Sequence, residues 1–275
     1  MSTETETPNS DDFRMPFWSH LEELRKRIVV SLIAVAAGFA VCFNFSEQLL
    51  GILMTPLNAR LGFHRGFPYL TIVPNEVQQK LYFTTLTEPF MTHLKIGFVA
   101  GLILVVPVLL LQVWKFISPG LMPRERRYAG QFVFFSTLFF AAGVLFCFFL
   151  LLPFAVPFLI GYKTEHLTPI VRIGEYIDFT LKFLLGSGLV FELPLVIILL
   201  SRMGIVNHAW LAKYRKYAFL ISFMIGALIT PTPDVFNMTL MSVPIYLLYE
   251  LGILGARLFG KRKPETAESQ ELTKT

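Results

Sequence analysis

Six stretches of this 275-residue chain are apolar and almost free of charge: Ile28–Ser46, Ile96–Trp114, Tyr128–Tyr162, Phe183–Ser201, Ala218–Pro233 and Val235–Tyr249. A bilayer core about 30 Å thick is crossed by roughly 20 apolar residues in an α-helix. A helix also satisfies its own backbone hydrogen bonds where no water is available. Only 16% of the residues are charged and 54% are hydrophobic, against about 25% charged in an average soluble domain. The fold class is therefore an all-α polytopic membrane protein. Six transmembrane helices are expected at about 24–46, 90–114, 126–153, 177–201, 214–231 and 235–256, within one membrane domain of residues 17–260. Residues 1–16 and 261–275 are polar and read as disordered flanks.

Three runs depart from the simple pattern. The run of 35 residues from Tyr128 is too long for one straight span and too short for two with a turn. It is expected to form one long helix ending near Pro153, followed by an apolar surface segment through Pro157. The last two runs are short. About fifteen residues at 1.5 Å each reach roughly 22 Å, so short fifth and sixth spans and a locally thinned bilayer are expected. Between the first two spans, residues 46–88 open with LLGILMTPLNARL and pass through Gly- and Pro-containing turns, which predicts a cap with one or two short helices. The TPTPD loop, Thr230–Asp234, makes the last two spans a tight helical hairpin.

Lys and Arg alternate in density along the chain. Arg14, Arg25, Lys26 and Arg27 precede the first span, and Lys115, Arg124, Arg126 and Arg127 follow the second. Arg202, Lys213, Arg215 and Lys216 follow the fourth, and Arg257, Lys261, Arg262, Lys263 and Lys274 follow the sixth, which gathers 17 of the 24 basic residues. The positive-inside rule places these segments and both termini in the cytoplasm. The net charge of +5 is thus mostly an orientation signal, not a nucleic-acid footprint. Cys42 and Cys147 lie in separate apolar runs and read as core residues; no Cys/His spacing suits a metal, and no cofactor is expected. The polar, acidic N-terminus MSTETETPNSDD has the pattern of neither a signal peptide nor a transit peptide.

Glu192 stands at the midpoint of Phe183–Ser201, nine residues from either end. A carboxylate at the centre of a span costs roughly 2.5–3.5 kcal/mol on insertion scales and marks a functional position by default. The bland alternative is a protonated Glu bonded to a neighbouring helix. Pro194, two residues on, is expected to bend this helix. Two further mixtures of charge sit at span boundaries: HLEELRKR, His20–Arg27, and FISPGLMPRERR, Phe116–Arg127. Glu22–Lys26 and Glu23–Arg27 have the i,i+4 spacing of helix-surface pairs, each worth only tenths of a kcal/mol.

HLEELRKR before the first span, QVWKFISPGLMPRERR between the second and third, FELP in the fourth, and TPTPDVFNMTL between the fifth and sixth occur in this order on a six-span pattern. Each motif alone is weak, but together they resemble the TatC family, the polytopic core of the twin-arginine protein translocase, from about residue 17 to 260. The resemblance implies a receptor for signal peptides with consecutive arginines. It also implies recruitment of TatA-type and TatB-type single-span partners, multimeric self-association, and export of folded proteins driven by the proton gradient. A bacterial inner membrane location follows from the same resemblance.

By motif position, the signal-binding carboxylates match Glu23 and Glu125, with Arg25, Gln112 and Phe116 beside them. Pro56, Pro119 and Asp234 fall on structural or translocation positions, and Glu192 on the mid-span carboxylate of the fourth helix. Two guanidinium forks suit two carboxylates in bidentate geometry, and Lys lacks the fork. Glu192 with Thr230, Asn237 and Thr239 is a candidate docking surface for a partner helix, although a Thr in a span often bonds its own backbone. TatC sequences often carry Gln near position 238; here Met238 stands beside Asn237.

Two other functions are weaker. A secondary transporter would use Glu192 as its ion site, but other charges inside the spans are nearly absent. An intramembrane hydrolase would use Ser187, but Gly186-Ser187-Gly188 lacks nucleophile-elbow spacing and no span interior holds a His. These small residues suit close helix packing instead.

Overall fold

The computed structural model describes residues 17–63, 70–74, 80–117, 129–162, 169–230 and 234–260. The first part comprises α1 (Phe17–Asn44), α2 (Ser46–Leu53), α3 (Thr55–Asn58), β1 (Ala59–Phe63), β2 (Leu70–Pro74) and α4 (Glu88–Ile117). Next come α5 (Ala129–Phe146), a π-helical turn (Cys147–Leu151) and α6 (Leu152–Gly161). The last part comprises α7 (Ile173–Phe191), α8 (Leu193–Arg202), α9 (His208–Lys213), α10 (Arg215–Ile229) and α11 (Val235–Phe259).

Among the described residues, five helical segments are long and apolar enough to cross a membrane: Leu21–Asn44, Glu88–Ile117, Gly130–Gly161, Ile173–Arg202 and Val235–Phe259. The multi-pass helical architecture expected from the apolar runs is therefore present. The expected cap after the first span is α2 and α3. The all-α expectation needs one addition, an antiparallel pair in which Ala59 faces Pro74 and Phe63 faces Leu70.

Two boundaries differ from the sequence expectation. Of the last two helices only α10 is short: its 15 residues reach roughly 22 Å. By contrast α11 has 25 residues, roughly 37 Å, so the short sixth span is corrected. The apolar run ends at Glu250, but the helix does not. Arg215 Nε lies 2.9 Å from Glu250 Oε1, and Tyr246 Oη donates to the same oxygen at 3.1 Å. The second correction concerns Pro153, where a helix end and a surface segment were expected. The chain stays helical to Gly161, and Leu152, Ala155 and Val156 are buried. The π-helical turn explains this. Leu152 N–H donates to Cys147 O, five residues back, and Pro153 falls in the first turn of α6, where a missing N–H leaves no bond unmade.

The bundle has two distinct ends. One carries α2, α3 and the β-hairpin, with α6 lying against α3 and β1. The other carries the N-terminal half-turns of α1 and α10 and the last turns of α4, α8 and α11, rich in Lys and Arg. α7 is the central post, with Ile177, Thr180, Phe183 and Ser187 all fully buried. At the hairpin end Lys95 Nζ on α4 donates to both carboxylate oxygens of Asp178 on α7, at 2.7 and 2.9 Å. Nearby, Glu88 accepts from the backbone N–H of Gly174 at 3.1 Å and of Thr84 at 2.9 Å. Tyr176 Oη donates to Leu53 O at 2.6 Å and ties α7 to α2.

Antiparallel α1 and α4 form the most extensive helix contact among the described residues. They approach at Gly38 and Gly101, where a Cβ on Gly101 would lie 2.6 Å from the Gly38 carbonyl carbon and from Phe39 N. The Gly186-Ser187-Gly188 segment packs closely as expected: Ser187 Oγ donates to Gly143 O on α5 at 2.9 Å. Gly101→Ala is expected to lower stability by about 1–3 kcal/mol, the usual range for overpacking against an unyielding backbone. A thermal melt in detergent checks this, with Gly51→Ala, which meets nothing within 4 Å, as the control.

Candidate functional site

Three carboxylates at sequence-predicted site positions fall among the described residues. The first is Glu23, in the first turns of α1 at the basic end. Its Oε1 accepts from Arg27 Nη2 at 2.9 Å, with side-chain exposures of 19% for Glu23 and 25% for Arg27. The expected Glu23–Arg27 pair is thus present. Glu22, Glu23, Arg25, Lys26 and Arg27 line an open depression of about 590 Å³. Arg25 is exposed beside it.

The α1–α4 crossing fixes what lies at the same height. From Gly38, Glu23 lies 15 residues back along α1; from Gly101, Gln112 lies 11 residues on and Phe116 lies 15 on. At 1.5 Å per residue these are about 22, 17 and 22 Å from the crossing, toward the same end. The antiparallel pair therefore brings Glu23, Phe116 and Gln112 to one end of the bundle. Gln112 is 7% exposed, and its Oε1 has no hydrogen-bond partner, so it points into protein and not into the depression. Glu125 and Pro119 lie outside the described residues, as do the expected disordered flanks, 1–16 and 261–275.

The second carboxylate is Glu192, which sits at a break in the helix and not in its interior. α7 ends at Phe191, α8 begins at Leu193, and Glu192 N–H donates to Leu189 O, three residues back, at 3.2 Å. Pro194, in the first turn of α8, has no N–H to continue the α7 ladder, so the bend expected from sequence appears as this break. Glu192 Oε1 has no partner, and Ser136 Oγ on α5 lies alongside without completing a hydrogen bond. Ser136 is a residue sequence reading missed. It is one hydroxyl in the apolar run YAGQFVFFSTLFF, and only the packing of α5 on α7 marks it out from Thr137, whose hydroxyl bonds Val133 O.

The third is Asp234, which caps α11. Its Oδ1 accepts from Asn237 N–H at 2.7 Å, and its Oδ2 accepts from Asn237 Nδ2 at 3.0 Å. The residues of the polar strip expected on the last hairpin lie as follows. Asn237 is 0% exposed and held by Asp234, and Thr230 is 4% exposed with its hydroxyl on Gly226 O. Thr239 is partly exposed, but its hydroxyl donates to Val235 O. The two Thr hydroxyls bond carbonyls four residues back, as short polar side chains in helices do, while Asn237 bonds Asp234. Pro56 is buried in α3, in its first turn.

Ser187 is buried, and its hydroxyl is committed to Gly143 O. The described residues define a multi-pass helical membrane protein with a paired carboxylate at a helix end, one with an unpartnered Oε1 at a helix break and a capping one at an interhelix turn. Residues 19–244 match the family described as Sec-independent protein translocase protein (TatC). TatC of Desulforapulum autotrophicum is 42% identical over 258 residues, covering 94% of this chain and 90% of that protein. TatC of Koribacter versatilis is 40% identical over 261 residues, covering 94% and 92%. A crystal structure described as the twin arginine translocase receptor TatC superposes with a TM-score of 0.73 at 35% identity, covering 87% of this chain and 98% of that one. The chain belongs to the TatC family: it is a component of the Sec-independent protein translocase, not an enzyme.

Asp234→Ala is expected to cost about 1 kcal/mol, the usual loss of an N-cap. Faster amide hydrogen exchange confined to residues 235–238 checks that the loss is local.

Proposed function

We propose that this protein is the receptor and core of the twin-arginine translocase in a bacterial inner membrane. It binds Arg-Arg signal peptides at its cytoplasmic face and recruits TatA-type and TatB-type single-span partners, and the complex exports folded proteins with the proton motive force. Six crossings place both termini in the cytoplasm, with α10 crossing a locally thinned bilayer. The Lys/Arg bias supports that orientation.

The observation that carries the reading is the Glu23–Arg27 contact of 2.9 Å in the depression on α1. The carboxylate already holds a guanidinium through one Nη2···Oε1 contact, which an incoming arginine would replace. A partly exposed pair of this kind contributes about 0–1 kcal/mol, so exchange of Arg27 for a ligand arginine has a low cost. Glu125 supplies the second carboxylate, and the two together select two arginines. Phe116, at the same height on α4, offers an apolar contact for the residues beside them. Glu125→Ala is expected to abolish photocrosslinking of a twin-arginine precursor, and Glu23→Ala to weaken it. Wild-type crosslinking yield in both variants would refute the assignment.

Glu192 has a separate role as a polar docking point for a partner helix. Its unpartnered Oε1 at the break supports this, and interhelix hydrogen bonds in membranes contribute about 0.6 kcal/mol on average. Thr230 and Asn237 are committed inside the hairpin and support it, with Asp234, while Thr239 stays at the surface. Glu192→Gln is expected to retain assembly with the single-span partners on native gels, and Glu192→Leu to lose it. Equal loss in both would assign Glu192 to proton chemistry instead.

A further inference from the structure

An apolar cavity at the basic end of the bundle takes no part in the proposed recognition of arginines. α4, α5, α8 and α11 surround about 380 Å³ lined by Trp114, Phe132, Phe135, Leu199, Arg202 and Phe259, within the span of about 300–1,000 Å³ usual for small-ligand sites. Phe135 and Phe259 are exposed, so the cavity opens to the surroundings of the bundle.

Two polar features give this cavity a direction. Trp114 is 5% exposed and stacks on Phe132 with ring centroids 4.5 Å apart. Its indole Nε1–H nevertheless has no acceptor, which is uncommon for a buried donor. Arg202 closes the last turn of α8 and brings a cation to the same cavity. An apolar chamber with one cation and one unpaired donor, at the Lys/Arg-rich end of a membrane bundle, matches an amphiphile with an anionic head.

We propose that the cavity binds one acyl chain of an anionic glycerophospholipid. The phosphate sits at Arg202, and a headgroup or ester oxygen accepts from Trp114 Nε1–H. A lipid tail has no backbone donors or acceptors to satisfy. A peptide segment in the same place would leave several unpaired, because the lining offers few polar groups beyond Trp114, Arg202 and Gln131. Cationic pockets on the positively charged side of membrane proteins suit anionic headgroups on general electrostatic grounds.

The test uses tryptophan quenching in the full chain. The sequence has 3 Trp, so Trp18→Phe with Trp210→Phe leaves Trp114 as the only reporter. Detergent-solubilised protein is titrated with phosphatidylglycerol or phosphatidylcholine brominated at mid-chain. Saturable quenching is expected with phosphatidylglycerol, at about five-fold higher apparent affinity than phosphatidylcholine, the effect of one cation on one anionic headgroup. Arg202→Gln removes that preference, and Leu199→Phe, which fills the cavity, removes the saturable component. Circular dichroism and gel filtration confirm the fold of each variant. If either variant misfolds, the comparison of the two lipids on the single-tryptophan protein decides alone. Non-saturable quenching, or equal affinity for both lipids, overturns the proposal. So does saturable quenching by a nitroxide-labelled signal peptide that phosphatidylglycerol does not displace, which would make the cavity a peptide site.

Discussion

A hydrocarbon environment offers no hydrogen bonds, and most of this structure follows from that one constraint. Backbone groups close on themselves in helices. Hydroxyls do the same one turn back: Thr92 on Glu88 O, Thr137 on Val133 O, Thr230 on Gly226 O, Thr239 on Val235 O and Ser242 on Met238 O. With these hydroxyls satisfied inside their own helices, shape holds the helices together. Small residues supply it where α1 meets α4 at Gly38 and Gly101 and where α7 meets α5 at Ser187.

Stronger polar ties lie toward the two ends of the bundle. Lys95–Asp178 and the Glu88–Gly174 contact hold α4 to α7 at the hairpin end. Arg215–Glu250 and Tyr249 Oη on Leu211 O hold α11 to α10 and α9 at the other. Eight buried side-chain atoms among the described residues lack a partner, Ser136 Oγ, Thr180 Oγ1 and Asn237 Oδ1 among them, and three others stand beside notable features. Glu192 Oε1, Trp114 Nε1 and Gln112 Oε1 are buried without partners. Glu192 stands at a helix break, Trp114 beside a cavity, and Gln112 near the end where the paired carboxylate Glu23 sits. Unsatisfied groups in this solvent are expensive, and here two of the three accompany features suited to an outside molecule.

Much of this was legible in the chain. The apolar runs fixed where membrane helices lie, Pro194 marked the break at Glu192, and the Glu23–Arg27 spacing foretold their contact. The illegible parts share a cause: they depend on what sits beside a residue in space. The sixth span looked short because Glu250 interrupts the apolar run, and its neutralising partner, Arg215, is 35 positions away in sequence. Pro153 looked like a terminator because a π-helical turn, set by one backbone bond from Leu152 to Cys147, leaves no composition signal. Thr230 and Asn237 looked available because helical periodicity does not say which face α10 and α11 turn toward each other.

The sequence by itself determined the class of fold, the charge bias between its two ends and the family, because hydropathy, charge alternation and ordered motifs are local properties of the chain. The tertiary structure alone decided that Arg215 meets Glu250, that Asp234 holds the buried Asn237 and that Glu192 Oε1 is left open. It also decided that Trp114 borders a cavity with Arg202 beside it. Those outcomes depend on helix register and close approach, which side chains far apart in the chain settle jointly and no single segment encodes.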